Sequence, residues 1–181
     1  MPDSLTRRGA LGAIAAVALA SCGDSERARD GKPRAGSGAG LLNSIVALEH
    51  AAVAAWATIA EALKGDARAQ AEAIRRREIG HVERVSALVR ELGGSPPQGR
   101  PLGEYVATFP ALDDGAAALR FAGDLEERLV RAYLDALRSL PDSGQRRVAA
   151  EIAAEEAQDL AVVAVLAGEP ASQRAFVTGT S

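Results

Sequence analysis

Aromatic residues are scarce in this 181-residue sequence, at 3% of the chain, although hydrophobic residues reach 48%. Most of the apolar residues are Ala, Leu and Val. Strands are enriched in aromatic and β-branched residues, whereas Ala, Leu, Arg and Glu favour helices. The composition therefore predicts an all-α protein, and the length fits one domain with or without an appendage.

Cysteine and concentrated positive charge are also lacking. The chain has a single cysteine, Cys22, which excludes an internal disulfide and a thiolate metal cage. The formal net charge is −3, and no basic patch lies in the region expected to fold. We therefore expect no nucleic-acid partner.

The amino terminus lacks an apolar run long enough to span a bilayer. Its small-residue stretch 9–20 has about twelve residues, whereas an ordinary membrane-spanning helix needs roughly 20. Arg7 and Arg8 precede the stretch, and small residues lead to Cys22. This order is typical of an export signal, which we assign to residues 1–21.

The end of the signal, LASC, resembles the bacterial lipobox, in which the cysteine is acylated. This resemblance implies a lipid anchor on Cys22 and a location at the outer face of the cytoplasmic membrane. The alternative is an ordinary secretory signal that leaves a free thiol. Thr6-Arg7-Arg8 resembles a twin-arginine signal, although Ala10 stands where that signal usually has a large apolar residue. Sec and twin-arginine export both stay open.

After the signal, the chain divides into three parts. Residues 22–40 are rich in Gly, Ser and charge and lack apolar periodicity, which predicts a flexible tether. Residues 41–168 contain four segments with helical periodicity, and residues 169–181 form a short tail. The connection from the second to the third helix, 93–115, is longer than usual for neighbouring bundle helices. The third helix therefore need not run antiparallel to the second.

Polar residues interrupt the apolar stripes of these helices at repeating positions. Glu49 lies in the first stripe, Glu78 and His81 lie in the second, and Glu126 lies in the third. The first two Glu are separated by 78 − 49 = 29 positions. The same separation from Glu126 leads to residue 155, another Glu. We interpret the repeat as a duplicated helical hairpin.

The fourth helix allows two stripes. One contains Val148, Glu151, Glu155, Gln158, Val162 and Val165; the other contains Ile152, Glu156, Asp159, Val163 and Leu166. We prefer the first stripe because Glu155 preserves the spacing of 29, since 155 − 126 = 29. Gln158 then occupies the position equivalent to His81.

Helix geometry predicts that the four Glu residues meet. At 1.5 Å per residue, each lies roughly 20–23 Å from the turn of its hairpin, so all four would share one level of the interior. Burying ionised carboxylates without partners costs several kcal/mol each. Because no Lys or Arg occupies the preferred stripes near that level, we expect a divalent metal. Carboxylate oxygen and imidazole nitrogen together suit iron or manganese.

These features resemble the ferritin-like di-iron carboxylate bundles, in which two helices give one Glu each and two give Glu-x-x-His. The phrases LEHAAVAAW, REIGHVERVSALVRELGGSPP and LEERLVRAYL resemble a bacterial family of exported ferritin-like domain proteins. The resemblance implies an all-α, ferritin-like four-helix bundle of two hairpins joined by a long crossover connection. It also implies a metal site whose ligands are Glu49, Glu78, His81, Glu126, Glu155 and Gln158, with Glu78 and Glu155 as bridging residues.

Two functions follow from the resemblance. The first is an envelope-anchored protein that binds iron or manganese and carries out oxidation or peroxide handling. The alternative is a degenerate bundle without metal that serves as a binding or structural lipoprotein. Gln158 favours the alternative, because an amide oxygen is a weaker, neutral ligand where the family has a second His. Association into a homodimer stays open.

Overall fold

The computed structural model describes residues 35–170, within which all regular structure is helical and no strand occurs. The elements are α1 (Ala35–Ala62), α2 (Gly65–Glu91), the short α3 (Leu102–Val106), α4 (Gly115–Ser139) and α5 (Ser143–Leu166). The predicted all-α fold is confirmed. The predicted signal, Cys22 and most of the tether and tail lie outside the described residues.

Local sequence accounts for the helix ends of the second hairpin. Asp114 Oδ1 accepts the Ala117 N–H at 2.7 Å at the start of α4. Asp142 Oδ1 accepts the Gln145 N–H at 3.0 Å at the start of α5. Each such cap stabilises a helix by about 1 kcal/mol. In the first hairpin, α1 begins at Ala35, earlier than the start predicted at position 41.

The helices pack as two antiparallel hairpins, α1 with α2 and α4 with α5. One end of the bundle joins Ile59 near the end of α1, Ile74 near the start of α2, Leu119 near the start of α4 and Val163 near the end of α5. Helices α2 and α4 therefore both begin at this end and run parallel. The predicted long crossover connection between the hairpins is confirmed.

The crossover segment packs along α1 through α3. Tyr105 is buried, and its hydroxyl accepts the Arg100 N–H at 3.0 Å. His50 Nε2 of α1 lies 3.3 Å from the Pro97 carbonyl oxygen. These contacts hold the connection against the first hairpin.

Two hydrophobic clusters fill the interior, one towards each end of the bundle. Trp56 and Leu129 belong to one cluster, and Tyr133 and Ile152 belong to the other. Between them lies what we call the polar layer, which consists of buried Glu49, Glu78, His81, Glu126, Glu156 and Asp159. The hydrophobic clusters provide the stability that permits such a layer, since burying polar groups opposes folding.

Helix α1 is unusually apolar. Gly38–Ala62 is the one stretch among residues 35–170 that is long and apolar enough to cross a membrane, with a mean hydropathy of 1.3. It packs against α2 and α4, and it contains the fully buried Glu49. These contacts are those of the core helix of a bundle.

Candidate metal centre

Four side chains of the polar layer form what we call the carboxylate–histidine cluster: Glu49, Glu78, His81 and Glu156. One ligand atom from each lies within 4.8 Å of the others. All four side chains are buried, with at most 1% of their surface exposed. Glu78 and His81 share one face of α2 because they are three residues apart. The cluster thus draws on α1, α2 and α5.

The structure corrects the preferred stripe of the fourth helix. Glu156 and Asp159 face the interior, whereas Glu151 and Gln158 are exposed. The stripe through Glu155 and Gln158 is therefore wrong, and the alternative stripe is the buried one. Glu156 takes the place expected of Glu155, at a separation of 156 − 126 = 30 from Glu126.

The error has a local cause in the hairpin turns. The turn between α1 and α2 has two residues, 63–64, whereas the turn between α4 and α5 has three, 140–142. The additional residue shifts every equivalent position in α5 by one. The sequence does contain a signal for the correct alignment of α2 with α5. An offset of 78 superposes identical residues: Ala71 on Ala149, Ile74 on Ile152, Glu78 on Glu156, Val85 on Val163 and Leu88 on Leu166.

Glu155 contacts His81 from outside the cluster. Its side chain is 38% exposed, and its Oε2 lies 2.7 Å from His81 Nε2. Arg84 Nη1 lies 3.2 Å from the same carboxylate. Because an ionised carboxylate only accepts, His81 carries a proton on Nε2. The other ring nitrogen, Nδ1, faces the cluster, 3.4 Å from Glu78 Oε2 and 2.8 Å from Glu156 Oε1.

Glu49 of α1 and Glu126 of α4 each accept a hydrogen bond from an aromatic residue of the other hairpin. The Tyr133 hydroxyl of α4 donates to Glu49 Oε1 of α1. Trp56 Nε1–H of α1 donates to Glu126 Oε1 of α4 at 2.8 Å. The two Glu and the two aromatic residues are related by the same offset, since 126 − 49 = 77 and 133 − 56 = 77. The duplication thus extends to the hydrogen bonds of the polar layer.

Burial and mutual repulsion change the acidity of these groups. Burial, followed by the charges of Glu156 and Glu78, raises the pKa of both Glu49 and Glu126 well above the ordinary value. Burial also raises the pKa of Glu156 to about 7, although His81 opposes the rise. For His81, burial acts to lower the pKa, but the adjacent carboxylates of Glu156 and Glu78 outweigh it and raise the pKa to about 11.

A second ion pair lies at the edge of the polar layer. Arg77 Nε donates to Asp159 Oδ2 at 3.0 Å, and Arg77 Nη2 donates to Asp159 Oδ1. The Asp159 side chain is 2% exposed and that of Arg77 is 40% exposed. Both Asp159 oxygens are therefore satisfied by one guanidinium in a fork-like arrangement.

The donor atoms of the cluster fit a divalent cation. Among the described residues, both oxygens of Glu78, both oxygens of Glu156, Glu49 Oε2, Glu126 Oε2 and His81 Nδ1 are buried without a hydrogen-bond partner. Leaving a buried polar group unsatisfied costs about 1–3 kcal/mol. A cation bound by the atoms of Glu49, Glu78, Glu156 and His81 would offset that cost for the cluster. The mixture of carboxylate and imidazole suits iron or manganese.

Comparisons with known proteins agree with this architecture. The model of the family described as "Ferritin-like domain" matches residues 37–169. A conserved hypothetical protein from Mycobacterium tuberculosis has a similar structure, with a TM-score of 0.65 and 16% identity over 75% of this chain and 94% of that one. A dodecameric thioferritin, the bacterioferritin-related protein from Bacteroides fragilis, gives a TM-score of 0.64 at 19% identity, covering 75% and 88% of the two chains. No curated protein matches the sequence.

Proposed function

This chain belongs to the ferritin-like domain family, and we propose that its carboxylate–histidine cluster binds iron or manganese and supports oxidation or peroxide handling. The observation that carries the proposal is Glu78, both of whose carboxylate oxygens are fully buried without a hydrogen-bond partner. A side chain in this condition destabilises the fold unless a cation or a proton satisfies it. The neighbouring Glu49, Glu156 and His81 provide the remaining ligands of a compact site.

Each residue has a definite part in this proposal. Glu49, Glu78 and Glu156 would bind the ion through carboxylate oxygen, and His81 would bind it through Nδ1. Glu155 is a positioning residue, because its bond to Nε2 keeps Nδ1 directed at the cluster. The bound ion would supply redox chemistry and Lewis-acid stabilisation of negative charge. The two hydrophobic clusters would keep bulk water from the site.

Metal analysis of purified protein, expressed with added iron or manganese, tests the proposal. The wild-type chain should retain metal after extensive dialysis, and Glu78→Ala should lose it. Glu83→Ala is the matched control, because Glu83 lies on the exposed face of the same helix. The proposal fails if the wild type holds less than about 0.2 ions per chain, a level that a folded high-affinity site would exceed. It also fails if Glu78→Ala retains the wild-type content.

The metal-free alternative also has a specific observation in its favour. Protonated His81 and the Arg77 guanidinium place two positive groups against the acids of the polar layer without any metal. In that case the domain would serve as a binding or structural module. Chelators would then leave the thermal stability of the wild type unchanged.

The proposal also includes export and anchoring at the outer face of the cytoplasmic membrane through a lipid on Cys22. The LASC sequence and the short apolar stretch before it support this part of the proposal. Cys22→Ala should move the protein from the membrane fraction to the soluble fraction and abolish labelling by a radioactive fatty acid. Labelling that persists in Cys22→Ala would contradict the anchor. The change of Arg7 and Arg8 to Lys distinguishes the export routes, because it should block only twin-arginine export.

Association of two copies is the last part of the proposal. Light scattering of the detergent-solubilised chain measures it directly, and a mass equal to one chain at micromolar concentration would contradict it. The dodecameric assembly named for the Bacteroides fragilis protein belongs to that protein.

A further inference from the structure

Two pairs of equivalent positions carry opposite chemistry in the two hairpins. The offset of 78 relates Arg77 to Glu155 and His81 to Asp159, since 155 − 77 = 78 and 159 − 81 = 78. The structure joins these positions crosswise between α2 and α5. Glu155 contacts His81, and Arg77 contacts Asp159. Acid and base are thus exchanged between the two pairs, while the geometry of the pairing is retained.

The exchange changes which atoms are available for a metal. In the first pair, the acid Glu155 binds the outer nitrogen of His81, so that Nδ1 stays without a hydrogen-bond partner and faces the cluster. In the second pair, the base Arg77 binds both oxygens of Asp159. Neither Asp159 oxygen is among the unpartnered buried atoms of the described residues. At Asp159, the position equivalent to His81, the second half therefore offers no metal ligand.

Glu126 is engaged at one of its two oxygens, and its Oε2 has no hydrogen-bond partner. Its Oε1 accepts from Trp56, and the compact group of four ligand atoms does not include it. The ion pair with Asp159 raises the pKa of Arg77, and the charges of Glu78 and Glu126 contribute to the same rise. The guanidinium that pairs with the buried Asp159 therefore places one positive charge at the edge of the polar layer.

We infer that the centre holds one metal ion, bound by Glu49, Glu78, His81 and Glu156, and that Arg77 takes the place of a second cation. This inference rests on the proposed function and makes it more specific. Arg77 is a residue that determines metal stoichiometry. Arg77 acts by engaging both oxygens of Asp159 and by its own positive charge.

The test is to rebuild the first pairing in the second half. The double variant Arg77→Glu, Asp159→His recreates there the acid–imidazole pair of Glu155 and His81. A second variant, Arg77→Gln with Asp159→His, provides the imidazole without an added carboxylate. Arg76→Gln is the matched control, because Arg76 is the exposed neighbour of Arg77 on the same helix. Circular dichroism and the fluorescence of Trp56, the single tryptophan, verify that each variant is folded.

Mn(II) titration, followed by metal analysis of the dialysed protein and by EPR, counts the ions. The wild type and Arg76→Gln should hold about one ion per chain with the spectrum of isolated Mn(II). The Asp159→His variants should hold about two, with the broadened spectrum of two coupled ions. Two ions in the wild type would overturn this inference and leave the proposed function standing. One ion in a folded Asp159→His variant would overturn the role of Arg77. No ion in any chain would reject the proposed function, and this inference with it.

Discussion

The two hairpins share a common plan but differ in what their last helix offers to the interior. Helix α2 brings Glu78 and His81 to the polar layer, whereas α5 brings Glu156 and Asp159. The aromatic bonds are reciprocal, with Tyr133 on Glu49 and Trp56 on Glu126. The two hairpins therefore have in common their buried acids and the aromatic residues that donate hydrogen bonds to them.

The difference between the halves lies in charge. His81 is bound from outside by an acid, and Asp159 is bound from outside by a base. One half therefore presents an unpartnered nitrogen, and the other presents a neutralised ion pair. A polar layer can therefore be symmetric in shape although its equivalent positions differ in chemistry. Here His81 offers an unpartnered atom to a metal and Asp159 does not. The predictions below compare the halves at equivalent positions.

The largest expected effect is a difference in metal affinity between two variants. One replaces His81 and the other replaces Asp159, which occupies the equivalent position. His81→Gln should weaken Mn(II) binding by more than about 100-fold, because it removes the only nitrogen donor of the cluster. Asp159→Asn should change the affinity by less than about tenfold, because Asp159 is bound to Arg77 and not to the metal. Isothermal titration calorimetry measures both. Equal losses in the two variants would mean that Asp159 binds the metal as well as His81.

Stability of the metal-free protein should depend on Arg77 more than on Arg84. Arg77→Gln leaves the buried Asp159 without its cation, at a cost of about 2–3 kcal/mol in the free energy of unfolding after allowance for the exposure of Arg77. Arg84→Gln removes half-exposed pairs with Glu151 and Glu155 and should cost less than about 1 kcal/mol. Chemical denaturation tests the order, and a reversed order would contradict the assigned importance of the Asp159 pair.

Metal affinity should rise with pH. In the metal-free protein the pKa of the ligand Glu49 is raised from 4.5, that of Glu156 is raised to about 7 and that of His81 is raised from 6.5 to about 11. Groups with a raised pKa stabilise the fold below their unfolded values and lose that contribution as pH rises. A metal must displace their protons, so affinity should increase by about tenfold per pH unit for each proton released.

Calorimetry between pH 5.5 and 7.5 measures this slope. In Glu126→Gln the slope should be close to that of the wild type, because Glu126 is not among the four ligands of the single-ion site. A slope that falls by a full proton in this variant would place Glu126 among the metal ligands.

The smallest expected effect concerns the aromatic donors. Tyr133→Phe removes the hydroxyl that donates to Glu49 and leaves a buried oxygen without a partner, which should cost about 1–2 kcal/mol. Tyr105→Phe, at the other tyrosine, removes a half-buried bond to the crossover backbone and should cost about 0.5–1 kcal/mol. Thermal unfolding compares them. An unchanged unfolding temperature in Tyr133→Phe would show that Glu49 Oε1 has another hydrogen-bond partner.

Most of the fold and three of the four residues of the carboxylate–histidine cluster follow from periodicity. Glu49, Glu78 and Glu126 stand where apolar residues are expected, and a polar residue inside a helix stripe is visible without a structure. Burial of these three is observed. Their role as metal ligands stays a prediction. The prediction that Glu155 and Gln158 lie in the buried stripe is wrong because the spacing of 29 does not hold in the second hairpin. The third turn residue of the second hairpin moves the buried face to Glu156 and Asp159.

The sequence by itself determined the four-helix bundle, its duplicated hairpins and the acids of its first three long helices, because helical periodicity is a local property of the chain. It could not determine the ion pairs between Arg77 and Asp159 or between His81 and Glu155. Those contacts join residues 82 and 74 positions apart. They depend on the relative rotation of α2 and α5, which one turn residue changes by about 100°. Only tertiary packing decides that rotation, and with it which acids meet His81.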